Sequence, residues 1–219
     1  FTLDHSPTRQ SRKKDGGTNN DNGRAIRTDG PEDFYIAGDS AEFAEIDQYN
    51  FWRNSIWSIN AWTGSAKAIT LDHSGNLYVV GDSSNYIKIG KYDNAGNKLW
   101  QLTGGYGNAN GISIDNAGNI YTTGSDHISK CDLSGNLLWN KTIAITGNSI
   151  VADTSGNSYT TGYFSGSASF GANTLTALGT QDIFITKYDT AGNCLWAKRA
   201  GGKFTCCYSN DAGNAITIE

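Results

Sequence analysis

The residues of this chain best equipped for chemistry are four cysteines, three histidines and a series of aspartates at recurring spacing. Cys131, Cys194, Cys206 and Cys207 match no common zinc-ligand framework, and no histidine lies close in sequence to the adjacent pair. In an oxidising compartment Cys194 is a disulfide candidate for Cys206 or Cys207, with buried free thiols as the alternative. A catalytic cysteine needs a positioned base, and the spacing identifies none. His5, His73 and His127 are far apart and are expected to be surface polar residues. Asp15, Asn19 and Asp21, with glycines among them, could supply oxygen ligands to calcium, although their spacing misses that of an EF-hand loop and lacks its bidentate glutamate. No other cofactor is expected. The aromatic residues Trp52, Trp62, Tyr86, Tyr106 and Tyr163 are candidate ligand contacts, because stacking on sugar rings suits Trp and Tyr and these five fall outside the repeat described next. Asn140, Lys141 and Thr142 form an N-glycosylation sequon, and the Ser/Thr-rich stretch 165–180 could carry O-linked sugar.

The elements that must position these residues are announced by a pentapeptide, Asp-x-x-Gly-Asn. Three copies lead at fixed spacing to tyrosine: Asp72 to Tyr78, Asp115 to Tyr121 and Asp153 to Tyr159. Three others lead to tryptophan: Asp93 to Trp100, Asp132 to Trp139 and Asp189 to Trp196. Aspartate can accept hydrogen bonds from amides further round a turn, and glycine supplies the left-handed backbone that other residues resist. Gly-Asn between alternating apolar and polar residues is therefore a hairpin signal. Two alternating hairpin turns define a unit of four strands.

An isoleucine precedes each tyrosine by nine positions (Ile26, Ile69, Ile112, Ile150), and a glycine follows each by three (Gly38, Gly81, Gly124, Gly162). The unit thus extends to the front of the chain, where Tyr35, Tyr49, Asn50, Asn54 and Trp57 keep its outline while its turns have decayed. Units begin near Ala25, Ala68, Gly111, Ser149 and Ala215, with spacings close to the ~40–45 residues of a four-stranded propeller blade. The fourth is lengthened by an insertion at 163–182 and a long exit loop at 197–214. The expected fold is all-β: a β-propeller of four-stranded antiparallel blades, with a polar arm at 1–24 and repeats over 25–219. The final unit starts and stops at 215–219, which predicts an unpaired strand. Either the arm completes that blade, Phe1 to His5 echoing Ile69 to His73, or the chain is a segment of a longer propeller, the reading favoured by the absence of the Tyr and Trp signatures from 6–24.

The run from Ser149 through Asp153, Gly156, Asn157 and Tyr159 to Gly162 resembles the start of a bacterial SBBP-type β-propeller repeat. Phe164 to Phe170, Asp182 to Tyr188, Leu195 to Lys198 and Ala200 to Gly202 continue the likeness. It covers most of residues 25–219, strongest in the fourth unit. The resemblance implies a secreted or cell-surface protein and carries no catalytic residues with it. The Gly-Asn-x-Leu-Trp ending also resembles the tryptophan-docking repeats of quinoprotein-type propellers, as a shared way of packing blades.

A net charge of −4 argues against a nucleic-acid-binding surface, and no apolar run reaches the ~18 residues of a membrane span. The one basic cluster, Arg9, Arg12, Lys13 and Lys14, reads as a solvated arm. Three functional classes follow. A non-enzymatic structural or adhesion scaffold, contacting protein or polysaccharide and self-associating through the unpaired terminal strand, is the first expectation. A carbohydrate-binding lectin is the alternative, and a propeller lyase or hydrolase is disfavoured by the scarcity of histidine.

Overall fold

Each Asp-x-x-Gly-Asn turn closes in the same way. Asp72 Oδ1 accepts the amides of Ser74 and Asn76, both at 2.9 Å, while Oδ2 accepts Asn76 Nδ2 at 2.8 Å. The same set recurs at Asp93, Asp115, Asp132, Asp153 and Asp189. The glycine of every copy is left-handed, with φ from 76° to 87°. In the first unit Asn50 replaces the aspartate and Arg53 takes the glycine position at φ 62°, yet Asn50 Oδ1 still accepts the Asn54 amide at 3.0 Å.

The computed structural model describes residues 21–30, 33–40, 42–202 and 210–218. They form sixteen strands and no helix. The first unit is a four-stranded antiparallel sheet of β1 (Asp21–Asp29), β2 (Asp33–Ser40), β3 (Phe43–Asn50) and β4 (Ser55–Thr63), paired in chain order. The second repeats it with β5 (Ser65–Leu71), β6 (Leu77–Ser83), β7 (Tyr86–Tyr92) and β8 (Lys98–Tyr106). The third and fourth share strands: β9 (Ala109–Ile114), β10 (Ile120–Cys131), β11 (Leu137–Ala152), β12 (Ser158–Phe164), β15 (Asp182–Tyr188) and β16 (Cys194–Ala200) make one six-stranded sheet. The insertion is a hairpin of β13 (Ser167–Phe170) and β14 (Asn173–Thr176).

That six-stranded sheet departs from the separate units expected, for a local reason. Gly64 at φ 126° and Gly107 at φ 130° break the chain between β4 and β5 and between β8 and β9. The matching position ahead of the fourth unit is Ile145, which resists positive φ, so β11 runs through from one unit into the next. Within β10, Asp126 at φ 59° folds the chain back on itself, bringing Thr122 Oγ1 within 2.7 Å of Ser129 Oγ; a straight strand would hold residues seven apart at about 23 Å. The third unit is therefore β9, the two arms of β10 and the first half of β11. The fourth is the second half of β11 with β12, β15 and β16.

The glycine that follows each tyrosine by three is explained by a close approach. A Cβ on Gly38, Gly81, Gly124 or Gly162 would lie 1.7–2.0 Å from a backbone carbonyl oxygen of the neighbouring segment, at Asn22, Ser65, Asn108 and Thr146 respectively. The ladder is irregular at that point in every unit. The insertion hairpin, whose composition suggested a polar excursion, packs Ala168 and Phe170 into the core with Phe164, Phe184 and Tyr188.

The first strands of all four units converge. A cavity of about 530 Å³ is lined by 27–29, 69–73, 112–114 and 150–152, together with 216–217. Residues 215–218, expected as an unpaired strand, carry no strand pairing. They run instead beside the fourth unit, where Gly213 N donates to Gly162 O at 3.1 Å and Ile216 N to Ser149 Oγ at 3.3 Å.

Candidate functional site

The tyrosines that close the repeats sit in a recurring polar set. The hydroxyls of Tyr78 and Tyr159 donate to Oδ2 of Asp72 and Asp153 at 3.1 and 3.3 Å, and Tyr121 Oη, 3.0 Å from Asp115 Oδ2, shares its one proton between that oxygen and the Gly156 carbonyl at 2.7 Å. Lys91, Lys130 and Lys187 lie over the same three rings at 4.8–5.0 Å from their centroids. In the first unit Gln48 takes the lysine position and donates to both Tyr35 Oη and Asp33. A Tyr–Lys pair can serve general acid–base chemistry if the phenol's pKa is brought down. Here burial, then the neighbouring aspartate, pushes Tyr78 and Tyr121 up, and Tyr35 up to about 12. These sets hold a turn onto a strand rather than activate a nucleophile. The recurring lysine two positions before each Trp-type turn was legible in the sequence and was not singled out there.

Tryptophans pack unit against unit. Trp57 Nε1 donates to the Asn94 carbonyl at 3.1 Å with its ring against Gly96, and Trp139 Nε1 donates to the Thr190 carbonyl at 3.2 Å with its ring against Gly192. Between the second and third units the pattern slips: Gly135 faces Leu102 rather than Trp100.

The slipped junction holds a cleft of about 580 Å³. One wall is apolar and comes from the second unit, with Ile87, Ile89 and Leu102; the other is largely polar and comes from the third, with Thr122, His127 and Ser129. Cys131, Asn140 and Tyr106 also line it. His127 is only 6 % exposed, a correction to the surface position expected, because the turn at Asp126 tucks its ring between the units. Its Nδ1 meets the Ser125 carbonyl at 3.2 Å, and since a carbonyl only accepts, Nδ1 carries the proton. Nε2 is then a bare acceptor, buried and without a partner among the described residues. Burial lowers the histidine's pKa, keeping the ring neutral, and raises the Cys131 thiol to about 11, keeping it protonated. Among the described residues the cleft offers shape, one unpaired acceptor and hydroxyls, and its one thiol is not activated.

The sequence candidates scatter. Tyr86 and Tyr106 come together edge to face, with centroids 6.0 Å apart, both exposed, and Tyr106 lines this cleft. Trp62 is buried, its Nε1 donating to the Asp82 carbonyl at 3.2 Å, and is a packing residue between the first two units rather than a platform. Trp52 is exposed beside Phe51. Tyr163 lies within β12, paired with Ile183 of β15, away from the other four. Asn140 is exposed on β11, opposite Ser129. Cys194 is a free thiol whose Sγ contacts the Trp196 carbonyl at 3.4 Å; Cys206 and Cys207 lie outside the described residues. Of the calcium candidates Asp15 and Asn19 also lie outside them, while Asp21 opens β1.

No family model matches this chain, and no curated protein matches it. Among solved structures it is similar to a protein of unknown function from Bacteroides caccae, at 10 % identity and TM-score 0.51, over 88 % of this chain and 86 % of that one. The likeness is one of fold.

Proposed function

We propose that the chain is a run of β-propeller blades, four formed and a fifth begun, acting as a rigid non-catalytic scaffold. Its loops and unit junctions would be presented to protein or polysaccharide outside the cell or on its surface, in keeping with the resemblance to SBBP-type repeats. The propeller reading is supported by the convergence of 27–29, 69–73, 112–114, 150–152 and 216–217 on one central cavity, which is how innermost strands are arranged around a propeller axis. The observation that carries the scaffold reading is that the repeated polar sets are consumed internally. Each turn aspartate is filled by its own turn, and three of the Tyr-type turns also take their tyrosine hydroxyl. Variable contacts are left to the loops and junctions. Self-association through 215–219 belongs to the same reading.

Retention on immobilised extracellular polysaccharides and proteins, measured by biolayer interferometry together with the chain length of the soluble polymer, tests it. Saturable retention with polymer length unchanged is expected. Shortening of the polymer would mean an enzyme, and absence of retention on every surface would remove the scaffold reading.

Carbohydrate binding is the second reading, favoured by the exposed Tyr86–Tyr106 pair. Tyr86→Ala and Tyr106→Ala should each weaken retention on a sugar surface if it holds, and leave it unchanged if contacts lie elsewhere.

A further inference from the structure

The repeats provide their own control for the cleft between the second and third units. At the junction of the first and second units the equivalent space is filled by two rings. Trp62 extends from β4, Tyr92 from β7, and a Cβ on Gly90 would touch both, at 3.2 and 2.7 Å. Strand register gives the counterparts one unit on. Trp62 pairs with Ala44, just before Thr63 pairs with Phe43; Gly105 falls just before Tyr106, which pairs with Tyr86. Tyr92 pairs with Lys98, Tyr188 with Cys194, and Cys131 with Leu137. The second junction therefore has Gly105 in place of the indole and Cys131 in place of the phenol. Tyr92 and Tyr188 are each 1 % exposed, so the position is a core position wherever it carries its ring. Removing two rings from a core junction leaves a cavity that costs stability unless something fills it.

The polar partner has been changed in step. Trp62 donates its N–H to the Asp82 carbonyl. The counterpart of Asp82 is Ser125, four residues after the tyrosine in each unit, and its carbonyl is taken by His127 Nδ1. The acceptor function passes through the imidazole to Nε2, in the wall of the cleft and without a partner among the described residues. An unpaired buried acceptor is unfavourable, and a donor delivered to the cleft floor would relieve it.

We propose that this cleft is a binding site for a small neutral aromatic molecule carrying one N–H or O–H donor, an indole or a phenol. The ring takes the place vacated at Gly105 and Cys131, against Ile87, Ile89 and Leu102, and its donor pairs with His127 Nε2. Substituents leave past Tyr106. The proposal rests on the equivalence of the units and is independent of how the array closes.

The test is titration of the whole chain with indole, and with 1-methylindole, which keeps the ring but has no donor. Nitrogen-15 spectra of the histidine ring are followed alongside thermal unfolding. Saturable indole binding is expected, with a shift at His127 Nε2, and 1-methylindole should bind roughly tenfold more weakly. Gly105→Trp restores the ring in cis; a Cβ there meets nothing within 4 Å, and the position has no positive φ. This variant should unfold at higher temperature and lose indole binding. Cys131→Tyr, filling the same space from the other wall, replaces it should G105W not fold. No saturable indole binding up to the solubility limit, or equal affinity in wild type and the filled variant, would overturn the proposal. Equal affinity for the two probes would overturn the role given to His127.

Discussion

Trp139 lies flat on Gly192: a Cβ added to that glycine would be 2.9 Å from two atoms of the indole, whose Nε1 donates to the Thr190 carbonyl 51 residues away in the chain. A turn signature and a tryptophan that are separate motifs in the sequence are thus the two halves of one junction between units.

Gly192→Ala is accordingly expected to cost more than its turn conformation alone. The left-handed φ of 80° carries about 1–2 kcal/mol for a non-glycine residue, and displacing the indole adds about 1–3 kcal/mol. Gly166→Ala, with φ 62° and nothing among the described residues within 4 Å, should show only the first part. Urea unfolding of the two variants measures the difference; equal losses would mean the tryptophan contact contributes nothing.

Gly81→Ala places a methyl 1.9 Å from the Ser65 carbonyl, where only backbone movement can make room. Failure to fold, or a loss above roughly 3 kcal/mol, is expected from such overpacking against the main chain. Gly105→Ala is the matched control in open space and should change stability by under about 1 kcal/mol. Circular dichroism during denaturation separates the pair.

Tyr121 Oη is within 2.7 Å of the Gly156 carbonyl as well as 3.0 Å of Asp115 Oδ2, joining the third unit to the fourth. Tyr121→Phe should cost about 1–2 kcal/mol, more than Tyr78→Phe, whose hydroxyl among the described residues has only the aspartate contact within its own unit. Hydrogen exchange at the 153–157 turn should rise in the Tyr121 variant alone.

Acid should weaken the fold through its aspartates. Burial opposes the charge of Asp72, Asp153 and Asp182, but hydrogen bonds outweigh it, from the turn amides, Asn76, Asn157 and the tyrosines for the first two and from the Leu178 amide and Arg199 for the third; all three carboxyls are held below their ordinary value. A carboxyl whose folded pKa is lower than its unfolded value, about 3.9, stabilises fully above that value and loses its contribution as pH falls through the folded pKa. The urea midpoint should therefore be level from pH 7 to about 5 and drop by pH 3. An unchanged midpoint at pH 3 would contradict this account.

The hairpins and their alternation were readable because turn chemistry is local: an aspartate, a glycine and an asparagine within five residues specify their own hydrogen bonds. The repeat also exposed which positions recur, including the glycines at 38, 81, 124 and 162, although the carbonyl that each must avoid lies about sixteen residues back in the chain. Ile145 in place of a left-handed glycine is visible in the sequence, but its effect, a strand shared between two units, depends on both neighbours being extended. The cleft was least legible. Cys131 and Gly105 are small residues 26 positions apart, and His127 looks like any polar residue after a turn; only packing of the second unit on the third turns two absent rings into one space and buries the imidazole beside it. Local hydrogen bonds are written in adjacent residues, whereas a cavity is defined by what distant residues fail to fill, and that is decided only when the units meet.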